Sequence, residues 1–229
     1  MKRSTLVALV LCLLSVGYGR AAAAQALPAS GPGRLEVSLG VLWIGQLALG
    51  SNDANETTPT GGNLKIFTTS TDLGSVPALE ARVAVRLLRS LEADVEASYG
   101  TPRLKVTISS DIESAPDVTA TESVQQFTIG AGVVWYVPFH RASSRLAPFV
   151  SGGGGHLRQV HEERTLVETG QYYHVGGGVK WLLFARPSGL VNAVGLRVDA
   201  RAVVRRHGVA FDDGGHVSPA VGASAFVRF

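Results

Sequence analysis

Cysteine is nearly absent from this chain of 229 residues, the one copy being Cys12, and methionine occurs only as the initiator Met1. Cys12 falls inside an N-terminal segment with the marks of an export signal. The rest of the chain can therefore form no disulfide and offers no thiol nucleophile. Helical periodicity of useful length is missing as well, so neither a bundle nor alternating helices and strands is expected. An excess of one charge is also lacking. Residues 1–24 hold Lys2, Arg3 and Arg20 and no acid, so without them the 21 bases fall to 18, equal to the 18 acids. The pI near 9.2 owes much to that segment and gives no reason to expect nucleic acid as a partner.

The N-terminal segment reads as a signal peptide. Lys2 and Arg3 form the charged region, and Leu6 to Val16 is an apolar run too short to span a membrane as a helix. Small residues follow, with cleavage expected after Ala24 or Ala26. Cys12 lies within the apolar run behind a poor lipobox, so no lipid anchor is expected. What remains, with residues 34–229 as its folded part, is enough for one domain. Glycine is abundant, at 27 copies.

What the chain does have is alternation with a period of two, the signature of strands whose faces meet different media. From His216 to Phe229, one row holds Val217, Pro219, Val221, Ala223, Ala225, Val227 and Phe229. The other holds Ser218, Ala220, Gly222, Ser224 and Arg228, with Phe226 out of pattern. Similar rows run through Leu35–Leu49, Leu79–Leu87, Leu91–Tyr99, Phe127–Val137, Tyr173–Leu183 and Val194–Ala202. In the first of these, Leu47 and Leu49 continue the apolar row of Leu35, Val37, Leu39, Val41 and Trp43. An eighth segment, Leu146–Leu157, is Gly-rich, and its faces cannot be assigned from its pattern.

Charge sorts these rows. In the seven clear strands the apolar row carries no Asp, Glu, Lys or Arg, while the opposite row carries many. Periodicity alone does not say which row points outward, and a soluble lipocalin-like barrel is the rival arrangement. A small barrel, however, could hardly bury eight rows bearing Trp43, Trp135, Trp181 and Phe229 and leave only polar rows outside. The export signal and the terminal aromatic turn the choice towards lipid on the apolar side.

The connections alternate strictly. Long gaps fall at Gly50–Val76, Thr101–Ser123, Arg158–Gln171 and Arg205–Gly215, and short ones at Arg89-Ser90, Phe139–Ser144 and Arg186–Gly189. Transmembrane barrels place short turns on the periplasmic side and longer loops outside. Closure would satisfy every backbone group, which an open sheet in lipid cannot do.

Together these features resemble the small eight-stranded outer-membrane barrels of the OmpA/OmpX type, over essentially the whole mature chain. Ala147-Pro148-Phe149-Val150 leading into Gly152–Gly155 looks like their Pro-aromatic-Gly strand. Gly195-Leu196-Arg197-Val198-Asp199 looks like their penultimate strand. The resemblance implies an all-β, antiparallel, up-and-down transmembrane barrel in the bacterial outer membrane, with both termini periplasmic. It also implies outer-membrane lipid as a partner and recognition by the assembly machinery through Phe229. No peptidoglycan-binding domain follows residue 229, so the anchoring role of two-domain relatives is not implied.

The candidate chemistry lies on the polar rows. Glu36, Glu80, Arg82, Arg86, Glu92, Asp94, Glu96, Lys180, Arg197, Asp199 and Arg201 are expected to point into a lumen barely wide enough for side chains. Crowded charge of both signs favours a self-neutralising plug over a narrow ion path. His156 and His174 flank the third long loop, with His161 within it, and His207 and His216 flank the fourth. Converging imidazoles bind zinc or copper, but no set of four ligands at tight spacing is present, so no metal or cofactor is expected.

His216-Val217-Ser218 superficially resembles the His-x-Ser of lipid A deacylases, with only Asp212 or Asp213 to orient the base. An enzyme is not expected. Asn55-Glu56-Thr57 matches a glycosylation sequon by chance, and the Gly152–Gly155 run lacks the Lys and helix of a phosphate loop. The role these features suggest is structural or adhesive, through long extracellular loops facing an unknown ligand. The alternative is an OmpW-like channel for small or apolar molecules, marked by an apolar pocket at the extracellular end and a lateral opening. Lipid A modification is the third.

Overall fold

The computed structural model of the chain describes residues 34–57, 61–110, 116–137, 145–161, 166–186, 189–207 and 215–229. The expected signal peptide and Cys12 lie outside them, as do Asp212 and Asp213. Eleven strands follow one another: β1 (Leu35–Ile44), β2 (Leu47–Thr57), β3 (Asn63–Leu73), β4 (Val76–Arg86), β5 (Leu91–Gly100), β6 (Arg103–Ser109), β7 (Val118–Tyr136), β8 (Leu146–His161), β9 (Val167–Ala185), β10 (Ala193–His207) and β11 (Gly215–Arg228). Eight of them close into an antiparallel barrel, in the order β1, β4, β5, β7, β8, β9, β10, β11 and back to β1.

The first and last strands make the closing seam, in register from Glu36 opposite Arg228 to Ile44 opposite Ala220. Their apolar rows then lie side by side, with Val37 beside Val227, Val41 beside Ala223 and Trp43 beside Val221. Both rows face outward. Leu39, Leu79, Ile129, Val175, Val198 and Val217 are each more than half exposed, and the charged rows are buried within. An exposed apolar belt of this extent, on a sheet without a free edge, suits a hydrocarbon surround and no aqueous one.

Outward aromatics sit at both margins: Trp43, Tyr99, Phe127 and Tyr173 towards the long connections, Trp135, Trp181 and Phe229 towards the termini. Such girdles place amphipathic rings at the two membrane–water interfaces.

Two expectations from the sequence need correction. The gaps Gly50–Val76 and Thr101–Ser123 are largely strand rather than loop. They form β2, β3, β6 and the start of β7, paired in the order β2-β3-β6-β7. Their rows are built from Thr68, Thr69, Thr71, Thr107, Thr119 and Thr121, which favour extended backbone without supplying an apolar stripe.

Leu47 and Leu49 turn inward, not outward. Ile44 and Gly45 are consecutive buried residues, so the alternation resets at the break between β1 and β2. A one-residue slip of this kind flips every later side chain. The two leucines join Leu73, Leu104 and Val124 in an internal apolar cluster.

The Gly-rich strand, unassigned in the sequence, turns Val150, His156 and Arg158 outward and Phe149, Ser151, Leu157 and Gln159 inward. Its glycines allow close approach of neighbouring strands. A Cβ on Gly155 would press into the backbone of Ile129 and Gly130, whereas one on Gly152 would meet nothing nearer than the His174 carbonyl at 3.6 Å. Gly155→Ala is therefore expected to destabilise the barrel by about 1–3 kcal/mol through overpacking, and Gly152→Ala to leave stability within about 0.5 kcal/mol. Urea titration of the protein folded into lipid vesicles checks this, and equal midpoints for the two variants would refute it.

Candidate functional site

Inside the barrel the polar rows of β1, β4, β5, β9, β10 and β11 converge. Near the terminal end, Lys180 Nζ sits 2.5 Å from Glu36 Oε1 and 2.8 Å from Glu92 Oε1. Arg228 Nη2 reaches Glu36 Oε2 at 2.6 Å, and the Tyr136 hydroxyl donates to Glu92 Oε2 at 2.7 Å. The rings of Tyr136 and Phe226 each lie 5.4 Å from Lys180 Nζ, close enough for cation–π attraction. Phe226 is fully buried. Its break in the alternation of the last strand is thus an inward ring closing the terminal end of the lumen. Arg86 is half-buried at this end, with its guanidinium carbon 5.5 Å from the centre of the Tyr136 ring.

A second layer lies above. Arg82 pairs with Glu80 at 3.0 Å, Glu96 at 3.1 Å and Asp94 at 3.5 Å. Arg201 pairs with Asp199 at 2.8 Å, Glu80 at 3.1 Å and Glu96 at 3.2 Å. Arg197 reaches Asp199 at 3.0 Å and stacks over the Phe149 ring at 4.5 Å. Tyr172 donates its hydroxyl to Glu96 at 3.0 Å. The register explains the pattern: Arg82 lies beside Glu96 on β5, and Glu80 two residues away on its own face of β4. Antiparallel neighbours of opposite sign neutralise one another locally. In a lumen this narrow the paired side chains fill the space between the strands, every cation named here being held by carboxylates or rings.

Sequence reasoning missed three inward groups. Arg228 and His174 lay on polar rows but were not counted with the charges. His174 Nδ1 lies 3.3 Å from Glu96 Oε1 without the alignment of a hydrogen bond. Arg205, 5% exposed, has no carboxylate set against it among the described residues. It lines a narrow cavity with Leu42, Ile44, Tyr172 and Val203, whose roughly 20 Å³ of accessible volume suits a water molecule. The extension of the Val194–Ala202 alternation to Val203 and Arg205 was the available signal.

The histidine pairing suggested by the sequence does not form. His156 points outward and His174 inward, because they occupy rows of opposite parity on β8 and β9. His161 Nδ1 is instead 2.9 Å from Glu122. Among the described residues no three metal-ligating side chains gather. His216 and Ser218 share one face of β11, but Ser218 Oγ makes no hydrogen bond among those residues.

Beyond the barrel, the β2-β3-β6-β7 sheet presents Ser, Thr, Asn and charged side chains. Asp53 accepts from Thr68 at 2.8 Å and pairs with Lys65 at 2.9 Å. The Lys65 ammonium first, then the Thr68 hydroxyl, holds the exposed Asp53 carboxyl below the usual carboxylate range. Strand β2 has β3 as its only hydrogen-bonded neighbour among the described residues, and residues 118–123 of β7 pair only with β6.

No family model matches the sequence, and no curated protein matches it. Among solved structures the chain is similar to Neisserial surface protein A, at 11% identity and a TM-score of 0.49 over 85% of this chain and 97% of that one. It is also similar to outer membrane protein AlkL, at 15% identity and a TM-score of 0.42 over 92% and 96%. Ail, the attachment invasion locus protein of Yersinia pestis, follows at 11% identity and a TM-score of 0.38 over 86% and 99%. These likenesses are of general architecture. Barrel closure and the outward apolar belt stand on the strand pairing and burial of this chain itself.

Two outcomes follow from the lumen. Lys180→Met leaves Glu92 as a buried carboxylate without a cation, while Glu36 keeps Arg228, and should cost about 3–5 kcal/mol, recovered in large part when Glu92→Gln is added. Urea midpoints of the single and double variants measure this, and a double variant no better than the single would count against it. Planar-bilayer recordings should show little or only small conductance; large, stable currents of porin size would refute the plug.

Proposed function

We propose that this outer-membrane-type barrel is a bacterial surface-binding protein, adhesin-like rather than enzymatic, and that the β2-β3-β6-β7 sheet is its extracellular binding element. The observation that carries this reading is the sheet's continuation past the barrel. Six residues of β7, 118–123, extend beyond its last rung with β8, about 20 Å of strand at the usual rise. A sealed lumen gives this part of the molecule nothing to conduct. An open-edged polar sheet, by contrast, offers backbone donors and acceptors to an extended partner segment. Charged Asp53, Glu56, Lys65 and Lys105 guard it against self-association. In this reading the long connections are extracellular and both termini periplasmic.

A second reading, passage of small apolar molecules, draws on the internal cluster of Leu47, Leu49, Leu73, Leu104 and Val124. It draws also on the seam beside it, where β11 stops pairing with the first strand at Ile44–Ala220 and Gly45 donates a last bond to the Pro219 carbonyl. The cluster is packed shut, which gives the surface-binding reading the greater weight.

The mature chain's lack of cysteine makes the orientation testable. Asn52→Cys on β2 should react with a membrane-impermeant maleimide on intact cells, and Ser90→Cys in the turn between β4 and β5 only after the envelope is breached. The reverse pattern would overturn the topology. Cells displaying the full chain should retain serum or matrix proteins that cells carrying a shortened β2–β3 hairpin release; equal retention would sink the binding role.

A further inference from the structure

The outer wall carries a groove of about 710 Å³ that the functions above do not use. It follows two register rows across six strands. One runs Leu39, Ala81, Ala97, Ile129, His156; the other runs Leu79, Tyr99, Phe127, Arg158, Thr169. Five inter-strand steps make it about 24 Å long. Ala81 and Ala97 form its floor, because short side chains there leave the wall recessed between Leu39, Leu79 and Ile129. Tyr99 and Phe127 form one side, their ring centroids 4.7 Å apart.

The two ends differ in chemistry. Leu39 and Ala81 lie within the uncharged belt, while Arg158 and His156 stand at the loop end of β8, exposed on the outward face. Within the belt the clear apolar rows are free of charge; outward guanidinium groups stand only towards the loop end among the described barrel strands, Arg158 on β8 within the groove and Arg206 on β10 outside it. No carboxylate pairs with Arg158 among the described residues. Because barrel strands tilt, a row perpendicular to them runs obliquely through the membrane, from its interior up to the headgroup level. An apolar channel that ends on a cation at that level matches one kind of occupant, an acyl chain joined to an anionic headgroup. The volume is that of an ordinary small-molecule site.

We infer that this groove is a specific site for a membrane lipid with a phosphate headgroup, its chain over Ala81 and Ala97 and its phosphate on Arg158. The inference rests on the membrane placement of the apolar belt. Arg158 supplies planar, bidentate donors suited to phosphate oxygens, and His156 and Thr169 lie on the neighbouring positions of the same rim. The selectivity resides in the charge, and the capacity in the recessed floor.

Purified protein in mixed micelles of phosphatidylglycerol and phosphatidylcholine, read by native mass spectrometry, tests this. Wild type should retain phosphatidylglycerol about five-fold over phosphatidylcholine, the size expected for one basic side chain at an anionic surface. Arg158→Gln should bring the ratio to parity. Ala97→Phe, which fills the floor and leaves the charge, should abolish retention of both lipids. Heat-modified gel migration checks that each variant is folded. Wild type without preference, or a preference unchanged in Arg158→Gln, would overturn the inference, as would undiminished retention in Ala97→Phe. Failure of the wild type to insert into vesicles at all would overturn the membrane placement instead.

Discussion

Closure of the sheet along β1 and β11 is the constraint on which the remaining structure depends. In hydrocarbon each unpaired N–H or C=O costs several kcal/mol, so a sheet with an edge has no stable place there. Once the register of Glu36 opposite Arg228 is set, the parity of every residue in those two strands follows. Parity then puts Trp43 and Val221 into the lipid and Glu36 and Arg228 into the lumen. The acid and base that meet at the seam are thus a consequence of the same register that closes the wall.

Eight strands leave an interior that side chains fill. The chain fills it with charge rather than hydrocarbon, and the cost of burying six carboxylates (Glu36, Glu80, Glu92, Asp94, Glu96 and Asp199) is offset by interleaved bases. Alternation of sign between adjacent strands achieves this, with Arg82 beside Glu96 and Lys180 between Glu36 and Glu92. Aromatic rings finish the terminal end, where Phe226 and Tyr136 bracket Lys180. Towards the loop end the lining becomes apolar, first around Leu42, Ile44, Val203 and Tyr172, then around Leu47, Leu49, Leu73, Leu104 and Val124. With the lumen filled, the surfaces left open are the polar sheet beyond the barrel and the grooved outer wall.

Much of the barrel was legible in the sequence because lipid imposes a simple rule. An outward side chain must be apolar, and a period of two repeats that demand every second residue. Phe127 to Val137 and Val217 to Phe229 could therefore be read without a structure. The Gly152–Gly155 run could not, because residues without side chains carry no parity signal. Leu47 and Leu49 misled for a different reason: apolar residues face either lipid or a dry lumen, and the break at Gly45 changes the face without changing the composition. The strands β2, β3 and β6 were hidden because a sheet with water on its outer face has no need of an apolar stripe. His156 and His174 looked like partners by sequence distance alone, and pairing parity separates them.

By itself, then, the sequence determined the class of fold, the outward apolar belt and the polar rows that carry the charge, since all three follow from alternation and the sign of side chains, while the buried Arg205 and Arg228 went uncounted. Which charges meet, where the alternation resets, how far the sheet rises above the barrel and where Arg158 stands beside a recessed wall were decided only by tertiary structure. These depend on the register between strands distant in sequence. Closure sets that register by joining residue 36 to residue 228, and no local pattern along the chain encodes the match.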